Sequence, residues 1–467
     1  MKIIITGAKT IGSHLAKLLS RNNEDVTLID EDGERLAQLN SDLDILTLQA
    51  PACSLKAMRE VKVKDADLFI AVTSNENKNV QACLMAKHLG AKKTVARVED
   101  KEYIEDNNKE FYHQLGLSSI IYPEMLAATD IINGLKMSWV RQRWDVHNGA
   151  LIMLGIKLRK ECNILGRPLR ELCGPDDPYH VVAVKRGNET FIPGGNDELK
   201  LNDLAFFMTM REHIAYIRKV VGKEGYADVK NVMFMGGGKT FVRSMKILPE
   251  YMKAKVVEID PERCEALNEM VSNCLIINGD GRDISLLNEE GIRNTQAFVA
   301  LTGNAETNIL ACLAAKKLGV RKTVAMVENI DYINIAESLD IGTIINKKAI
   351  AASHIYQMML DADVMNLRFL TNANVDCAEF IAAEGSRVTK KAVKDLSLPK
   401  GMTIGGLVRD EVGMLVSGNT QIQAGDSVVV FIHGANIKRV EEMFKPSGSF
   451  PFSFHLYKNY NKRLLGQ

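Results

Sequence analysis

Short runs rich in Ile, Val and Leu alternate along the chain with stretches whose apolar residues recur every three or four positions. Over the first part the runs fall at Ile3–Thr6, Val26–Asp30, Ile45–Leu48, Leu68–Val72 and Thr94–Val98, with helical patterns between them. Such alternation predicts an α/β fold with a parallel, doubly wound, Rossmann-like sheet. A helix is expected near Pro123–Met137. The period then changes to that of a small β-rich lobe. "HVVAVKRGNETFIP" reads as a hairpin around Gly187-Asn188, and "DLAFFMTM" as a further strand.

The pattern then starts again. "AVTSNENKNVQACLMAKHLGAKKTVARVED" (71–100) and "ALTGNAETNILACLAAKKLGVRKTVAMVEN" (300–329) agree at more than half of their positions without a gap. "MKIIITGAKTIGSHL" matches "NVMFMGGGKTFVRSM", "TLID" (27–30) matches "VEID" (257–260), and "SSIIYPEMLAA" matches "GTIINKKAIAA". "GNDELKLNDLAFFM" (195–208) matches "GNTQIQAGDSVVVF" (418–431). Fixed self-similarity fixes the architecture. Two tandem units are expected, each a Rossmann-like lobe with a crossover helix followed by a small α+β lobe. The expected spans are 1–140 and 141–222, a linker 223–230, then 231–366 and 367–444, with a mobile basic tail at 445–467.

With 467 residues, several domains are expected. The formal net charge of +1, with acids and bases interspersed, gives no nucleic-acid footprint. Eight scattered cysteines without a C-x-x-C pair indicate neither a disulfide framework nor a zinc site, which reads as a cytosolic protein. The chain opens into a strand and not a signal peptide. No apolar stretch approaches the roughly 18 residues that span a bilayer. Any membrane role therefore calls for a partner.

Gly238-Lys239-Thr240 invites a P-loop reading, but the position five residues before Gly238 is Met233, inside an apolar run, where the loop needs glycine. The dinucleotide fingerprint G-x-G-x-x-G fits better. In the second copy Gly236 and Gly238 occupy its first two positions and Phe241 the third; a shifted register, with Gly237 opposite Gly7 and Lys239 opposite Lys9, also fits. In the first copy Gly7 and Gly12 hold the outer positions and Lys9 replaces the middle glycine. A lysine there either covers the site or swings outward and neutralises phosphate charge. Asp30 and Asp260 are read as ending the second strands, where a carboxylate accepts ribose hydroxyls and repels a 2′-phosphate. Gly279 and Asp280, in "INGDGRD", follow the third strand of the second copy, while "TLQAPAC" in the first lacks both residues. The second site is thus the more intact. Thr73 and Thr302 end the fourth strands and either face ligand or cap the next helix. Arg97 reaches phosphate or forms a surface ion pair with Glu99 or Asp100. No H-x-x-x-H and no G-x-S-x-G occurs, so no catalytic residue is assigned. An NAD-dependent oxidoreductase with a duplicated cofactor domain remains the competing class.

Taken together, these motifs resemble the tandem RCK (KTN) domains of regulatory subunits of potassium-uptake systems, over about residues 1–444. The resemblance implies a non-enzymatic, nucleotide-sensing protein on the inner face of the cell membrane. It implies NAD(H) or an adenine nucleotide (ATP or ADP) as regulatory ligand, and a membrane-embedded Trk-type potassium translocator as partner. By motif position it implies nucleotide contacts at Gly7, Gly12, Asp30, Thr73 and Arg97, and at Gly236, Gly238, Asp260, Gly279, Asp280 and Thr302. It also implies assembly into a ring. The crossover helices carry broad apolar stripes, Met125, Leu126, Ile131, Ile132 and Leu135 in one and Ile350, Ile355, Met358 and Met359 in the other. Burial inside the same unit would explain them, but with the resemblance they are expected to join chains into a homotetramer.

Overall fold

The computed structural model describes residues 1–21, 24–174, 177–187, 189–359, 364–370, 375–433 and 437–446. The tail beyond 446 lies outside the described residues. The first Rossmann lobe runs β1 (Lys2–Thr6), α1 (Thr10–Arg21), β2 (Asp25–Asp30), α2 (Gly33–Asp42), β3 (Leu46–Gln49), α3 (Leu55–Glu60), β4 (Leu68–Ala71), α4 (Glu76–His88), β5 (Lys93–Arg97), α5 (Asp106–Gln114) and β6 (Ser119–Ile121). Its strands lie in the order β3-β2-β1-β4-β5-β6, all parallel. The winding reverses between β1 and β4. Ile3 and Ile5 of β1 join one hydrophobic cluster and Ile4 another. A sheet covered on both faces needs apolar residues at every position, which is why these strands read as unbroken runs.

The crossover helix α6 (Pro123–Leu135) starts with proline at its first turn, where no backbone N–H is needed. The small lobe follows with β7 (Gln142–Val146), β8 (Leu151–Lys157), β9 (Tyr179–Arg186), β10 (Glu189–Phe191), β11 (Leu204–Thr209) and α7 (Ile214–Val220). Its antiparallel sheet has the order β10-β9-β11-β8-β7.

The second copy repeats the plan with β12 (Asn231–Met235), α8 (Lys239–Lys246), β13 (Lys253–Glu258), α9 (Pro261–Met270), β14 (Cys274–Asn278), α10 (Ile284–Glu289), β15 (Ala297–Ala300), α11 (Ala305–Lys317), β16 (Lys322–Met326), α12 (Ile330–Ser338) and β17 (Thr343–Ile345). Crossover helix α13 (Lys347–Met359) leads to β18 (Val364–Leu370), β19 (Val375–Ile381), β20 (Met402–Arg409), β21 (Val412–Leu415), β22 (Ser427–Ile432) and α14 (Ile437–Phe444). The parallel sheet is ordered β14-β13-β12-β15-β16-β17, and the small sheet β18-β19-β22-β20-β21. The boundary expected between 366 and 367 falls inside β18, which pairs with β19 throughout its length; the small lobe therefore begins earlier.

The halves are locked together by exchange. Helix α6 of the first copy packs on α8 of the second, α13 packs on α1, and the two crossover helices pack on each other. Ile131, Ile132 and Leu135 lie in one cluster with Phe234, Phe241 and Val242. Ile355 and Tyr356 lie in another with Ile11, Leu15 and Leu19. This corrects the expectation that the stripes join separate chains. Their buried residues are covered by the other half of the same chain, so they supply no exposed patch for assembly. The small lobes also pair, with Trp144, Met153 and Phe206 against Cys377, Val408 and Phe431. Each carries the same fork on a buried carboxylate, Arg186 on Asp203 and Arg409 on Asp426.

Candidate functional site

At the switch point of the first sheet, Gly7 turns with φ +103° and donates its N–H to the Ile29 carbonyl at 2.8 Å. A Cβ at Gly7 would stand 2.7 Å from the Thr73 nitrogen, and one at Gly12 only 1.7 Å from the Gly7 carbonyl oxygen, so both positions require glycine. Lys9 is exposed. Asp30 ends β2. One carboxylate oxygen accepts the Ala8 N–H at 2.5 Å and the other the Asp32 N–H at 2.9 Å.

The second loop has the same frame. Gly236 has φ +97° and donates to the Val257 carbonyl at 2.9 Å, which settles the register with Gly236 opposite Gly7 and Phe241 opposite Gly12. Phe241 is fully buried edge-on against Phe234, ring centroids 5.1 Å apart. Glu258, not Asp260, ends β13. Glu258 accepts the Gly237 N–H at 2.6 Å and the Asp260 N–H at 3.1 Å, matching Asp30 contact for contact. Asp260 caps α9 as Asp32 caps α2. The alignment of "TLID" with "VEID" is therefore displaced by two residues, and Asp260 is not at the strand end. Its carboxylate is engaged with the N–H groups of Glu262 and Arg263. Helix α8 begins at Gly238 with no side-chain cap, whereas α9, α10 and α11 are capped by Asp260, Asp283 and Asn304. Its first N–H groups are thus left for an anion.

Two residues missed in the sequence organise the fourth and fifth strands. Asn79, fully buried, accepts the Thr73 N–H and hydroxyl at 2.9 and 2.6 Å and donates to the carbonyls of Thr73 and Arg97. Asn308 does the same for Thr302 and Met326. Both hydroxyls thus point into the protein frame. The shared Asn inside the best-matched stretch of the repeat was the available signal. Gly279 donates its N–H to the Glu258 backbone carbonyl, and Asp280 is gripped by the Arg282 guanidinium at 2.7–3.1 Å. This fork, with the Arg282 N–H, holds the Asp280 carboxyl below its ordinary pKa.

Arg97 donates to the Thr73 carbonyl at 3.1 Å and to Glu99 at 2.6 Å. The anticipated ion pair exists, but it does not end there. Lys239, from the loop of the second copy, also binds Glu99. Burial raises the Glu99 carboxyl, but the Lys239 hydrogen bond and the Arg97 and Lys239 charges outweigh it and leave the pKa lowered. Beside this pair, Arg243 of α8 bonds the Tyr122 hydroxyl and lies over its ring at 5.2 Å. The second glycine loop is therefore tied through Glu99 to Arg97 at the end of β5, which in turn bonds Thr73 after β4.

The sequence of paired sheets and loops matches a family model. The TrkA-N domain model covers residues 3–123 and again 232–347, and the TrkA-C domain model covers 377–445. The chain belongs to the TrkA family. It is similar to the Trk system potassium uptake protein TrkA homolog of Archaeoglobus fulgidus, 29% identical over 95% of this chain and 100% of that protein. It is likewise similar to the Trk system potassium uptake protein TrkA of Halomonas elongata, 28% identical over 96% of this chain and 100% of that one. Among solved structures, the GsuK RCK domain shares the fold with a TM-score of 0.59 and 14% identity, covering 95% of this chain and 94% of that chain. The GsuK channel bound to NAD gives a TM-score of 0.58 and 13% identity, over 95% and 78%. Among the described residues of this TrkA-family chain no helix is long and apolar enough to cross a membrane.

Proposed function

We propose that this chain is a nucleotide-sensing regulatory subunit that gates a membrane potassium-uptake transporter and performs no chemistry itself. One observation carries the reading: two carboxylate-tethered glycine loops occupy two lobes that the exchanged crossover helices bind into one body. TrkA-family relatives named for potassium uptake match almost the whole chain. The ligand is NAD(H) or an adenine nucleotide. Asp30 and Glu258 each accept two backbone N–H groups. A carboxylate has about four lone-pair sites, so each retains capacity for both ribose hydroxyls. The diphosphate lies along the loop and the uncapped start of α8, in reach of Lys9 or Lys239. Phosphate competing with Glu99 for Arg97 leaves the charge of Glu99 to Lys239 alone, which carries occupancy of the first site to the second loop. Gating requires the ligand to bind two states with different affinity, and hydrolysis is not needed.

The partner is an integral-membrane, Trk-type potassium translocator, and the chain acts on its cytoplasmic face as a homotetramer presenting eight units. The test is rubidium uptake by vesicles holding the translocator with and without this chain, titrated with NADH, NAD, ATP and ADP. Uptake that changes with chain and nucleotide together supports the proposal. Uptake indifferent to the chain, or turnover of NADH with an acceptor, overturns it.

A further inference from the structure

A cavity of about 300 Å³ lies away from both glycine loops, where the first small lobe, the linker and the second Rossmann lobe meet. Its lining is almost all of one sign. Arg141, Lys157 and Arg159 come from the start of β7 and the end of β8. Lys316, Arg321 and Lys322 come from the end of α11 and the start of β16. Lys223 comes from the linker, with Tyr226. Trp139, Val140 and Val320 add apolar wall.

Asp340 is the carboxylate bonded to them, and Glu337, itself held by Lys185, adds its charge near Lys157. Asp340 takes Arg141 at 2.7 Å, Lys316 at 3.1 Å, and Arg159. Among the described residues no carboxylate lies within ion-pair distance of Lys157, Lys223, Arg321 or Lys322. Lys322 is 2% exposed, and its ammonium donates only to the neutral oxygens of Val140, at 2.6 Å, and Thr343, at 3.1 Å. Burial, with Arg141 adding to it, pushes its pKa down to about 7. Burial also lowers Lys157 and Arg141. Seven cationic side chains against the charges of Asp340 and Glu337 leave an excess of like charge at a partly buried cavity, which is costly unless something answers it. The side chains that crowd here face a space of ligand size. Arg321 is already fixed by a bond to the Gly225 carbonyl at 3.0 Å and by stacking over Tyr226 at 5.1 Å.

We propose that this cavity is an effector site for a small polyphosphate anion, a molecule carrying two or more linked phosphate groups, clamped between the first small lobe and the second Rossmann lobe. The Lys and Arg donors supply charge-assisted hydrogen bonds to phosphate oxygens. The apolar wall and Tyr226 leave room for a small organic group beside the phosphates. A linked anion suits the site better than a single small one, because the cations stand on different lobes and one ligand must reach both. The site is independent of the nucleotide loops, so its failure leaves the proposed function untouched.

The test is calorimetry on the full chain with NADH kept saturating, using inorganic pyrophosphate as probe, ADP as the nucleotide form of the same chemistry, and sulfate as the single-anion control. Pyrophosphate is expected to bind once per chain and about tenfold or more tighter than sulfate, with ADP at least as tight as pyrophosphate if the organic group is recognised and weaker if free diphosphate is the ligand. The double variant Lys157→Gln/Arg321→Gln should weaken pyrophosphate about tenfold or more while NADH affinity stays the same. Hydrogen exchange on the wild-type chain gives a second reading that needs no variant: pyrophosphate should protect residues 138–141 and 320–322. Absence of binding, equal affinity for sulfate, an unchanged double variant, or protection confined to the glycine loops would each overturn the proposal.

Discussion

Glu258 and Asp260 lie two residues apart and do different work. The first tethers the glycine loop and the second caps a helix. Glu258→Ala should weaken NADH binding about tenfold, the worth of roughly 1.4 kcal/mol of lost hydroxyl contacts. Asp260→Ala should leave NADH affinity nearly unchanged and cost about 1 kcal/mol of stability as a lost cap. Calorimetry and a denaturant titration separate the two, and equal losses of affinity would return the ribose role to Asp260. The place of Asp30 at the end of β2 was legible because it ends an apolar run after a glycine loop. Its partner was not, because both copies spell Ile-Asp at these places while strand pairing sets Val257 against Met235 and so puts Glu258 at the end. Elsewhere, burial alone pushes the Asp376 carboxyl of β19 up to about 7. Its unfolded value is about 3.9, so the folded chain binds the extra proton in between. Stability therefore falls as pH rises through that window and stays lower above it. Asp376→Asn should raise the melting midpoint by a few degrees at about pH 8 and hardly at all at about pH 4. An equal effect at both would contradict the raised carboxyl.

The crossover helices show what an element's sequence discloses and what it withholds. Their length, start and apolar stripe follow from proline, periodicity and composition. What covers the stripe does not, since the cover comes from the other copy, far along the chain. Ile131 is 1% exposed in the cluster it shares with α8 residues. Ile131→Ala should therefore cost about 3 kcal/mol, as large-to-small changes in a packed core do. Urea unfolding followed by Trp fluorescence measures it, and a loss below about 1 kcal/mol would argue against this packing. The hairpin at Gly187 was readable from its turn residues. The start of the second small lobe was harder to read, because no Gly or Pro punctuates the chain just before β18.

The tetramer proposed above would need a surface other than the crossover stripes, which the two halves of the chain cover. Phe111 and Leu115 on one copy are 55% and 50% exposed, and Ile335 and Leu339, at the corresponding places of the other, 51% and 46%. Each pair is four residues apart and spans the C-terminal end of α5 or α12, with its second member just past the helix, so each makes one apolar spot there. Repeated exposed spots of this kind fit a contact that recurs around a ring. Phe111→Asp with Ile335→Asp should reduce the proposed tetramer to smaller species in light scattering, with thermal stability of the chain kept. A double variant that stays tetrameric would place the contact elsewhere, and a wild-type monomer would end the ring mechanism.

The exchange of helices has a consequence for how such a protein is divided and how it diverges. If the gene were split within 223–230 and the halves produced as separate polypeptides, each alone would show the face its sister normally hides. On mixing they should recombine one to one and recover NADH binding, as two subunits of a heterodimer do. A symmetric pair of identical subunits must keep every contact surface complementary to itself. A fused pair is released from that constraint. Arg243 rests on Tyr122 across the joint, while the positions related to them by the repeat are His14 and Asn346. Gly12, which nothing larger can replace in its own loop, has Phe241 as its counterpart. In a joined pair each substitution has to be tolerated in one place instead of two, so one loop can depart from the shape the other needs.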